Sequence, residues 1–411
     1  MDEAPGAPAR RAALRLVDAV LRRGETLDGA LGRATRDLPL AADRALARAL
    51  AAESLRWLVD LDALVDSATR QRLAPDAKPR AVLRLMLAGW LRLGTPPHAA
   101  IATALPLLAG GPRRLAHGVF AALLRRGAAL PPAPSLPDAV AARWGARASV
   151  IAAALATPPP LDLTLRDAGE TGLWADRLGG RSLVPGHVRL ARGTAIEDLP
   201  GFGEGAWWVQ DLAASLPARL LGPGEGRRAL DLCAAPGGKT LQLASMGWRV
   251  TALDVSERRL EPLRENLART GCVAEIVVAD AREWTAGQAF DAILLDAPCT
   301  ATGTCRRHPD VLHRIGARQI TAMAALQGEL LARAVRWLAP GGRLVYAVCS
   351  LEPEEGEAQA RTVALPRDPI RPEELPMGLS PTAAGDLRSD PGMLDAAGGL
   401  DGFFIARWRA A

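Results

Sequence analysis

Hydrophobic residues recur at helical spacing through the first third of the chain and then give way to short apolar blocks, so the architecture changes along its length. Leu14, Val17 and Leu21 share one helical face, and Gly24 supplies a stop behind them. Leu46, Leu50, Trp57, Leu61 and Leu64 predict a longer helix over 43–66. Pro79 fits the first position of another helix, with Val82, Leu83, Met86, Leu87 and Trp90 turned inward. Pro96-Pro97-His98 interrupts the pattern, and two further helices are expected around 101–108 and 115–126. The Trp, Met and Leu residues of this region are assigned to an all-α core.

The stretch 129–137 is proline-rich and predicts a stiff linker or domain boundary. A helical pattern resumes over 138–157, and Pro158-Pro159-Pro160 stops it. Residues 161–221 are mixed, with short runs such as Leu161-Asp162-Leu163-Thr164-Leu165, and suggest a small α/β preface. Strand-like runs then appear at 229–233, 250–255, 276–279, 292–295 and 344–348, and Phe403-Phe404-Ile405-Ala406 closes the series. Helical stretches lie between most of them, which predicts a parallel, doubly wound, Rossmann-like sheet. The chain is therefore expected to be multidomain, with boundaries at 1–130, 131–222 and 223–411.

Composition agrees with several soluble cores. The chain has 411 residues, 49% of them hydrophobic, but no run of about 20 uncharged apolar residues that would span a membrane. Met1-Asp2-Glu3-Ala4-Pro5 lacks the basic and apolar regions of a secretory leader. The five cysteines all lie beyond residue 230 without framework spacing, which points to reduced thiols and a cytoplasmic location. Residues 1–130 carry 20 Arg and Lys against 12 Asp and Glu, a net of +8, whereas the remaining 281 carry 30 against 33, a net of −3. A basic front attached to a near-neutral remainder suggests a polyanion-binding module joined to another function, although surface Arg can also simply solvate helices. Only Lys78 and Lys239 are lysine among 50 basic residues. A lysine kept inside a glycine loop is then notable, because it is a compact point charge where Arg is a planar fork.

That loop follows the first strand of the series as Cys233-Ala234-Ala235-Pro236-Gly237-Gly238-Lys239-Thr240. Glycines let backbone approach a ligand, and a helix N-terminus favours negative charge. A P-loop would need glycine five positions before Gly238, where Cys233 stands, and a G-x-G-x-x-G fingerprint is absent. Asp254, 17 residues after Gly237, ends the second strand, where an acid accepts hydrogen bonds from ribose hydroxyls. Asp280, expected to end the third strand, is placed for an adenine amino group. Ribose and adenine recognition without a phosphate loop points to S-adenosyl-L-methionine.

Two thiols complete the candidate chemistry. Asp296-Ala297-Pro298-Cys299 follows the run Ala292-Ile293-Leu294-Leu295, and Val348-Cys349-Ser350 ends a later strand. Ligands of parallel sheets bind beyond the carboxyl ends of the strands, and a thiolate there can add to an electron-poor carbon and later leave. That is what a pyrimidine needs before its C5 accepts a methyl group. A zinc site from Cys299, Cys305, His308 and His313 has the wrong cysteine spacing, so no metal is expected. Cys272 is assigned a structural role, and Cys233 and Cys305 are expected to line the site or pack.

The segments Leu232-Cys233-Ala234-Ala235-Pro236-Gly237-Gly238-Lys239-Thr240, Asp296-Ala297-Pro298-Cys299, Arg306-Arg307-His308-Pro309-Asp310 and Val348-Cys349-Ser350 resemble the Sun/Nol/Nop family of RNA (cytosine-5) methyltransferases. Asp401-Gly402-Phe403-Phe404 is similar to that family's closing segment, and Gln210-Asp211 to the pair preceding its core. Asp43-Arg44-Ala45, Pro97-His98-Ala99-Ala100 and Leu123-Leu124-Arg125-Arg126 resemble the NusB-like RNA-binding domain that precedes the core in the family's RsmB/Sun branch. Thr300-Ala301 stands where the family usually has Ser-Gly, and Ala121 where the NusB-like pattern usually has Asn.

The resemblance implies a class I methyltransferase that modifies RNA, with small-subunit 16S rRNA as substrate and tRNA as the alternative. It assigns Cys349 as the nucleophile at cytosine C6, Asp296 as a hydrogen-bonding partner of N3, and Cys299 as the group that helps remove the C5 proton. Lys239 would line the pocket, and Cys233, Ala234, Ala235, Pro236, Gly237, Gly238, Lys239, Asp254, Asp280 and Asp296 would hold the cofactor. Arg306 and Arg307 are candidates for RNA phosphate. DNA cytosine-5 enzymes use a Pro-Cys thiol as nucleophile, which here would be Cys299, and the residues alone leave the two roles open. A non-catalytic RNA-binding factor is the rival from another class. The expected partner is RNA, with no membrane or metal, and the chain is expected to act as a monomer.

Overall fold

The computed structural model describes residues 5–191 and 196–411. They form two compact units, one of residues up to Thr157 together with Cys305–Ile315, the other of Pro158–Thr304 and Gly316–Ala411. Met1 to Ala4, part of the reading against a leader, lie outside the described residues. No helix among the described residues is long and apolar enough to cross a membrane.

In the first unit, helices Ala7–Arg23, Leu27–Thr35, Ala41–Arg56, Leu58–Ser67, Lys78–Leu93, Pro97–Ala104 and Gly110–Arg125 surround one apolar core. Gly24 ends the first helix in the left-handed region, at φ 67°. The helix expected over 43–66 is two helices, because Trp57 leaves helical geometry at φ −104° and buries its indole beneath the Arg92 guanidinium, 4.7 Å from the ring. Leu50 and Leu61 stay buried on either side, so periodicity alone could not show the break. The proline-rich stretch forms neither helix nor strand, and Ser135 is fastened to the Asp60 carboxylate through its N–H at 2.8 Å and its hydroxyl at 2.7 Å.

Part of the positive charge of this unit is used internally. Arg80 is buried against Asp62 and Asp66, Arg84 against Asp62, and Arg56 against Glu53. The segment Cys305–Ile315 is anchored in the same unit. Arg56 Nη2 donates to the Arg306 carbonyl at 2.8 Å, His313 Nε2 lies 2.7 Å from the Leu55 carbonyl, and His308 Nδ1 lies 3.0 Å from the Asp28 carboxylate.

The second unit opens with a three-stranded antiparallel sheet of β1 (Leu161–Leu165), β2 (His187–Leu190) and β3 (Trp207–Val209), ordered β2-β1-β3. Seven strands follow: β4 (Arg228–Leu232), β5 (Arg249–Asp254), β6 (Ala274–Val278), β7 (Phe290–Asp296), β8 (Leu338–Val348), β9 (Leu387–Ser389) and β10 (Phe403–Arg409). Their order is β6-β5-β4-β7-β8-β10-β9. The sheet is parallel from β6 to β8, but β10 runs antiparallel to both β8 and β9, which corrects the all-parallel expectation. A parallel strand needs a crossover element. Residues 390–402 supply only a short 3-10 turn, so the chain folds straight back.

Alternate residues of the strands feed two cores, as a sheet covered on both faces requires. Ala229, Leu294, Val345, Ala347 and Ile405 pack on one side, near helix Leu212–Arg219. Leu230, Ile293, Leu344, Tyr346 and Phe404 pack on the other, against helix Ala317–Trp337.

One buried carboxylate joins the small sheet to the helix Leu212–Arg219 that packs on the large one. Asp162 accepts from Arg189 Nε and Nη2 at 2.6 and 2.7 Å and from the Leu212 N–H, which opens the next helix, at 3.0 Å. Burial opposes its charge, but Arg189 and His187 outweigh that and hold the carboxyl well below the usual carboxylate range. A depressed folded pKa gives stability that is present above the unfolded carboxyl value, about 4, and lost as pH falls through the folded value. Asp162→Ala is expected to cost about 3–5 kcal/mol at neutral pH. In thermal denaturation, the gap in Tm between wild type and variant should narrow as pH drops below about 4.

Candidate active site

The glycine loop joins β4 to helix Gly238–Ser245 at the point where the strand order reverses, the crevice in which open α/β sheets bind ligands. Cys233 and Ala234 both donate their N–H groups to the Leu253 carbonyl, at 2.8 and 3.0 Å, so the chain leaves β4 hugging β5. Gly237 has φ 106°, and a Cβ there would meet Leu263 Cδ1 at 2.4 Å. Only glycine fits that combination of conformation and packing. Asp254 shapes the loop from the end of β5, accepting from the Ala235 N–H at 3.1 Å and the Ser256 N–H at 3.0 Å.

Beside the loop lies a cavity of about 570 Å³, lined among others by Asp254, Asp280, Asp296, Pro298, Cys299 and Cys349. Lys239 reaches toward it from the helix and bonds Asp296 Oδ2 at 2.7 Å, with its ammonium 5.5 Å from the Phe403 ring centroid. Burial disfavours the Lys239 charge, but the Asp296 carboxylate prevails and the pKa is raised. Beneath the loop, Thr240 Oγ1 donates to Asp231 Oδ2 at 2.5 Å, while Asp231 Oδ1 is buried without a partner. Burial pushes the Asp231 carboxyl up to about 7, against the Thr240 hydrogen bond.

The two thiols meet: Cys299 Sγ and Cys349 Sγ are 3.5 Å apart. The Cys299 thiol is held well above its ordinary value, first by the Cys349 sulfur and then by burial. Three backbone contacts hold the surrounding segments together. Ala297 N–H donates to the Ala347 carbonyl at 2.9 Å, Gly303 N–H to the Cys349 carbonyl at 3.0 Å, and Gly402 N–H to the Gly303 carbonyl at 2.9 Å. The closing Asp401-Gly402-Phe403 segment thus locks the cysteine loops from the β10 side.

Comparison with known proteins identifies this arrangement. The family model described as 16S rRNA methyltransferase RsmB/F matches residues 218–409, and the NusB family model matches residues 7–126. The chain is 36% identical to the ribosomal RNA small subunit methyltransferase B of Pseudomonas putida, over 97% of each chain. It is 34% identical to that of Klebsiella pneumoniae, again over 97% of each. The chain belongs to the RsmB/F family of 16S rRNA methyltransferases. Among solved structures, PH0851 shares the fold with a TM-score of 0.72 at 22% identity, over 99% of each chain.

As an RsmB/F member, the chain has a pocket that suits S-adenosyl-L-methionine. Its volume falls in the range of ordinary cofactor sites. Each Asp254 oxygen accepts one N–H, and a carboxylate oxygen can accept a second hydrogen bond from a ligand in the cavity that Asp254 lines. Asp280 lines the same cavity but lies two residues past the end of β6, which stops at Val278. Its carboxylate is gripped by Arg282 at 2.6 to 3.1 Å, which lowers it to about 2. Any ligand amino group there must share that acceptor with Arg282.

The other sequence candidates separate. Cys305, His308 and His313 belong to the helical unit, and no cluster suited to a metal ion occurs among the described residues. Arg306 is buried and Arg307 half-buried in that unit. Cys272 is half-buried behind Gly271, away from the thiol pair. The two family departures at 300 and 301 acquire a physical meaning. Thr300 keeps the hydroxyl of the usual Ser, and Ala301 adopts φ 57°, the left-handed conformation that explains the usual Gly.

Residues to which the sequence reading gave no role are Gly303, Gln327 and Glu355. Gly303 is the most exacting. A Cβ there would lie 2.0 Å from the Gly402 carbonyl oxygen and 3.0 Å from the Cys349 oxygen, both backbone. Gly303→Ala is therefore expected to push the Cys299 loop off the β8 end, costing about 3 kcal/mol or more in chemical denaturation and removing methyl transfer.

Proposed function

We propose that the protein transfers a methyl group from S-adenosyl-L-methionine to C5 of a cytosine in 16S rRNA, by way of a covalent bond between Cys349 and C6 of the base. The observation that carries this reading is the thiol pair, 3.5 Å apart beside the Lys239–Asp296 ion pair. In this reading residues 1–130 dock RNA, 131–222 form the linker and preface, and 223–411 carry the reaction. Arg15, Arg23, Arg33 and Arg36 line a cleft of about 330 Å³ in the helical unit together with Asp18, and RNA phosphate there would compete with Glu25 and Asp37, with which the four arginines pair.

S-adenosyl-L-methionine supplies an electrophilic methyl group on its sulfonium. In this reading Cys233, Ala235, Asp254, Asp280 and Asp296, which line the cavity, hold it, with Ala234, Pro236, Gly237, Gly238 and Lys239 of the glycine loop beside them. The target cytosine must leave its stack to enter such a pocket. Cys349 gives its thiol proton to solvent and adds to C6 as the thiolate, which makes C5 electron-rich enough to take the methyl group. Addition makes N3 basic, so N3 takes up a proton and donates the resulting N–H to the Asp296 carboxylate, whose charge the Lys239 ammonium balances. Cys299, once deprotonated, takes the C5 proton, the C6–S bond breaks, and its electron pair returns to Cys349.

Electrostatics favour this order of events. The strongest influence holding the Cys299 proton on is the adjacent Cys349 sulfur. Bond formation at Cys349 removes that influence, so Cys299 gives up its proton more readily after addition. Its ionised form grows with pH, so multiple-turnover methylation should rise from neutral pH into the alkaline range.

The test is transfer of radiolabelled methyl from S-adenosyl-L-methionine to unmodified 16S rRNA and to tRNA. Wild type should place label in 16S rRNA as 5-methylcytosine, and Cys349→Ala should lower the rate on the order of 10,000-fold or more. Cys299→Ala should accumulate an RNA–protein adduct that survives denaturing gels, and Cys349→Ala should form none. Adduct only in Cys349→Ala would exchange the two roles, and label in tRNA alone would overturn the substrate.

A further inference from the structure

Glu355 is fully buried, six residues past Cys349, and plays no part in the chemistry described above. Its carboxylate is the meeting point of both cysteine segments. Thr300, directly after Cys299, donates its N–H to Glu355 Oε1 at 2.9 Å and its hydroxyl to Oε2. Ser350, directly after Cys349, donates its hydroxyl to Oε2 as well. Gln327, from helix Ala317–Trp337, donates to Oε1 at 3.1 Å and to the Pro298 carbonyl, just before Cys299, at 2.8 Å. Tyr346 closes the ring by donating its hydroxyl to the Glu355 carbonyl at 2.5 Å. The carboxylate thus takes four donors, which is all a carboxylate can accept.

We propose that Glu355 is a positioning residue that clamps the segments bearing Cys299 and Cys349 to one buried carboxylate and so sets the separation of the two thiols. This rests on the two-thiol reading of the site. The clamp acts one residue beyond each cysteine, where a shift of the backbone moves the sulfur directly. It also explains why Thr300 is tolerated for Ser: the donor required is a hydroxyl, and both side chains provide it. A backbone N–H and an amide N–H can only donate, so the Oε1 side must be an acceptor.

The clamp places its charge unevenly. The titratable groups facing Cys299 are Cys349 and Tyr346 from β8 and its end, Glu355 from the turn after it, and Asp296 and Lys239 across the cavity. The Cys349 sulfur and burial hold the proton on Cys299, and the Glu355 carboxylate adds to them.

The experiment compares Glu355→Ala and Glu355→Gln in the full-length protein. Glutamine can keep the clamp, its oxygen accepting from Thr300 N and Gln327 and its amide donating to the two hydroxyls, but it carries no charge. Single-turnover methyl transfer should fall on the order of 100-fold in Glu355→Ala, with KM for RNA and for S-adenosyl-L-methionine unchanged, and recover substantially in Glu355→Gln. Alkylation of Cys299 by iodoacetamide, followed by mass spectrometry in a Cys349→Ala background, should shift its pH midpoint down by about one unit in both variants.

A wild-type rate in Glu355→Ala overturns the proposal. So does an equal loss in both variants with an unmoved alkylation midpoint, the mark of a merely structural side chain. If Glu355→Ala does not fold, as judged by circular dichroism, Glu355→Gln and its alkylation midpoint decide. The alkylation needs no RNA, so a wild type that fails to methylate 16S rRNA counts against the proposed reaction, while the alkylation midpoints still decide the role of Glu355.

Discussion

The reactive edge depends on β7 and β8 lying side by side, parallel and in register. Leu295 pairs with Tyr346 and Asp296 with Ala347, so the two chains leave the sheet at the same height. Three residues beyond Asp296 comes Cys299, and two beyond Ala347 comes Cys349. Two parallel strands sit about 5 Å apart, which brings two short side chains from adjoining strand ends within reach of each other. The rest of the site braces that adjacency: the antiparallel β10 closes it from one flank, and the glycine loop after β4 closes it from the other.

Around this edge, burial and pairing give similar side chains different properties. Asp231, sealed under the loop with one oxygen unpartnered, is pushed up to about 7. Asp280, at the cavity rim beside Arg282, is drawn down to about 2. Asp296 is committed to Lys239. The Cys299 thiol is held up by the adjacent Cys349 sulfur and by burial. Both signs of charge thus stand around one cavity, kept apart by fixed hydrogen bonds rather than by water.

Much of this was legible in the sequence because it is local. The glycine loop, the two cysteine signatures and the strands carrying them occupy short contiguous segments, and their residue types state their chemistry. Three features were not legible. The break at Trp57 is caused by an indole packed under Arg92, a residue 35 positions away, and leaves the apolar periodicity intact. The reversal of β10 follows from a connection with no crossover helix. Glu355 lies in the run Glu352-Pro353-Glu354-Glu355, which looks like solvated surface, yet Glu352 and Glu355 are buried and Glu354 is exposed.

The basic front of the chain shows the same limit from another side. Counting residues gives its net charge, but not that Arg56, Arg80 and Arg84 neutralise carboxylates inside the helical unit, nor that Arg306 is buried. By itself the sequence determined the two kinds of architecture, the reactive groups and the strand ends that present them. Those follow from periodicity and side-chain chemistry, which are properties of neighbouring residues. Only the tertiary structure decided which thiol faces which charge, which carboxylates are buried, and how far apart the sulfurs stand. Those quantities depend on segments distant in the chain sharing one low-dielectric space, and their energies are set by that proximity.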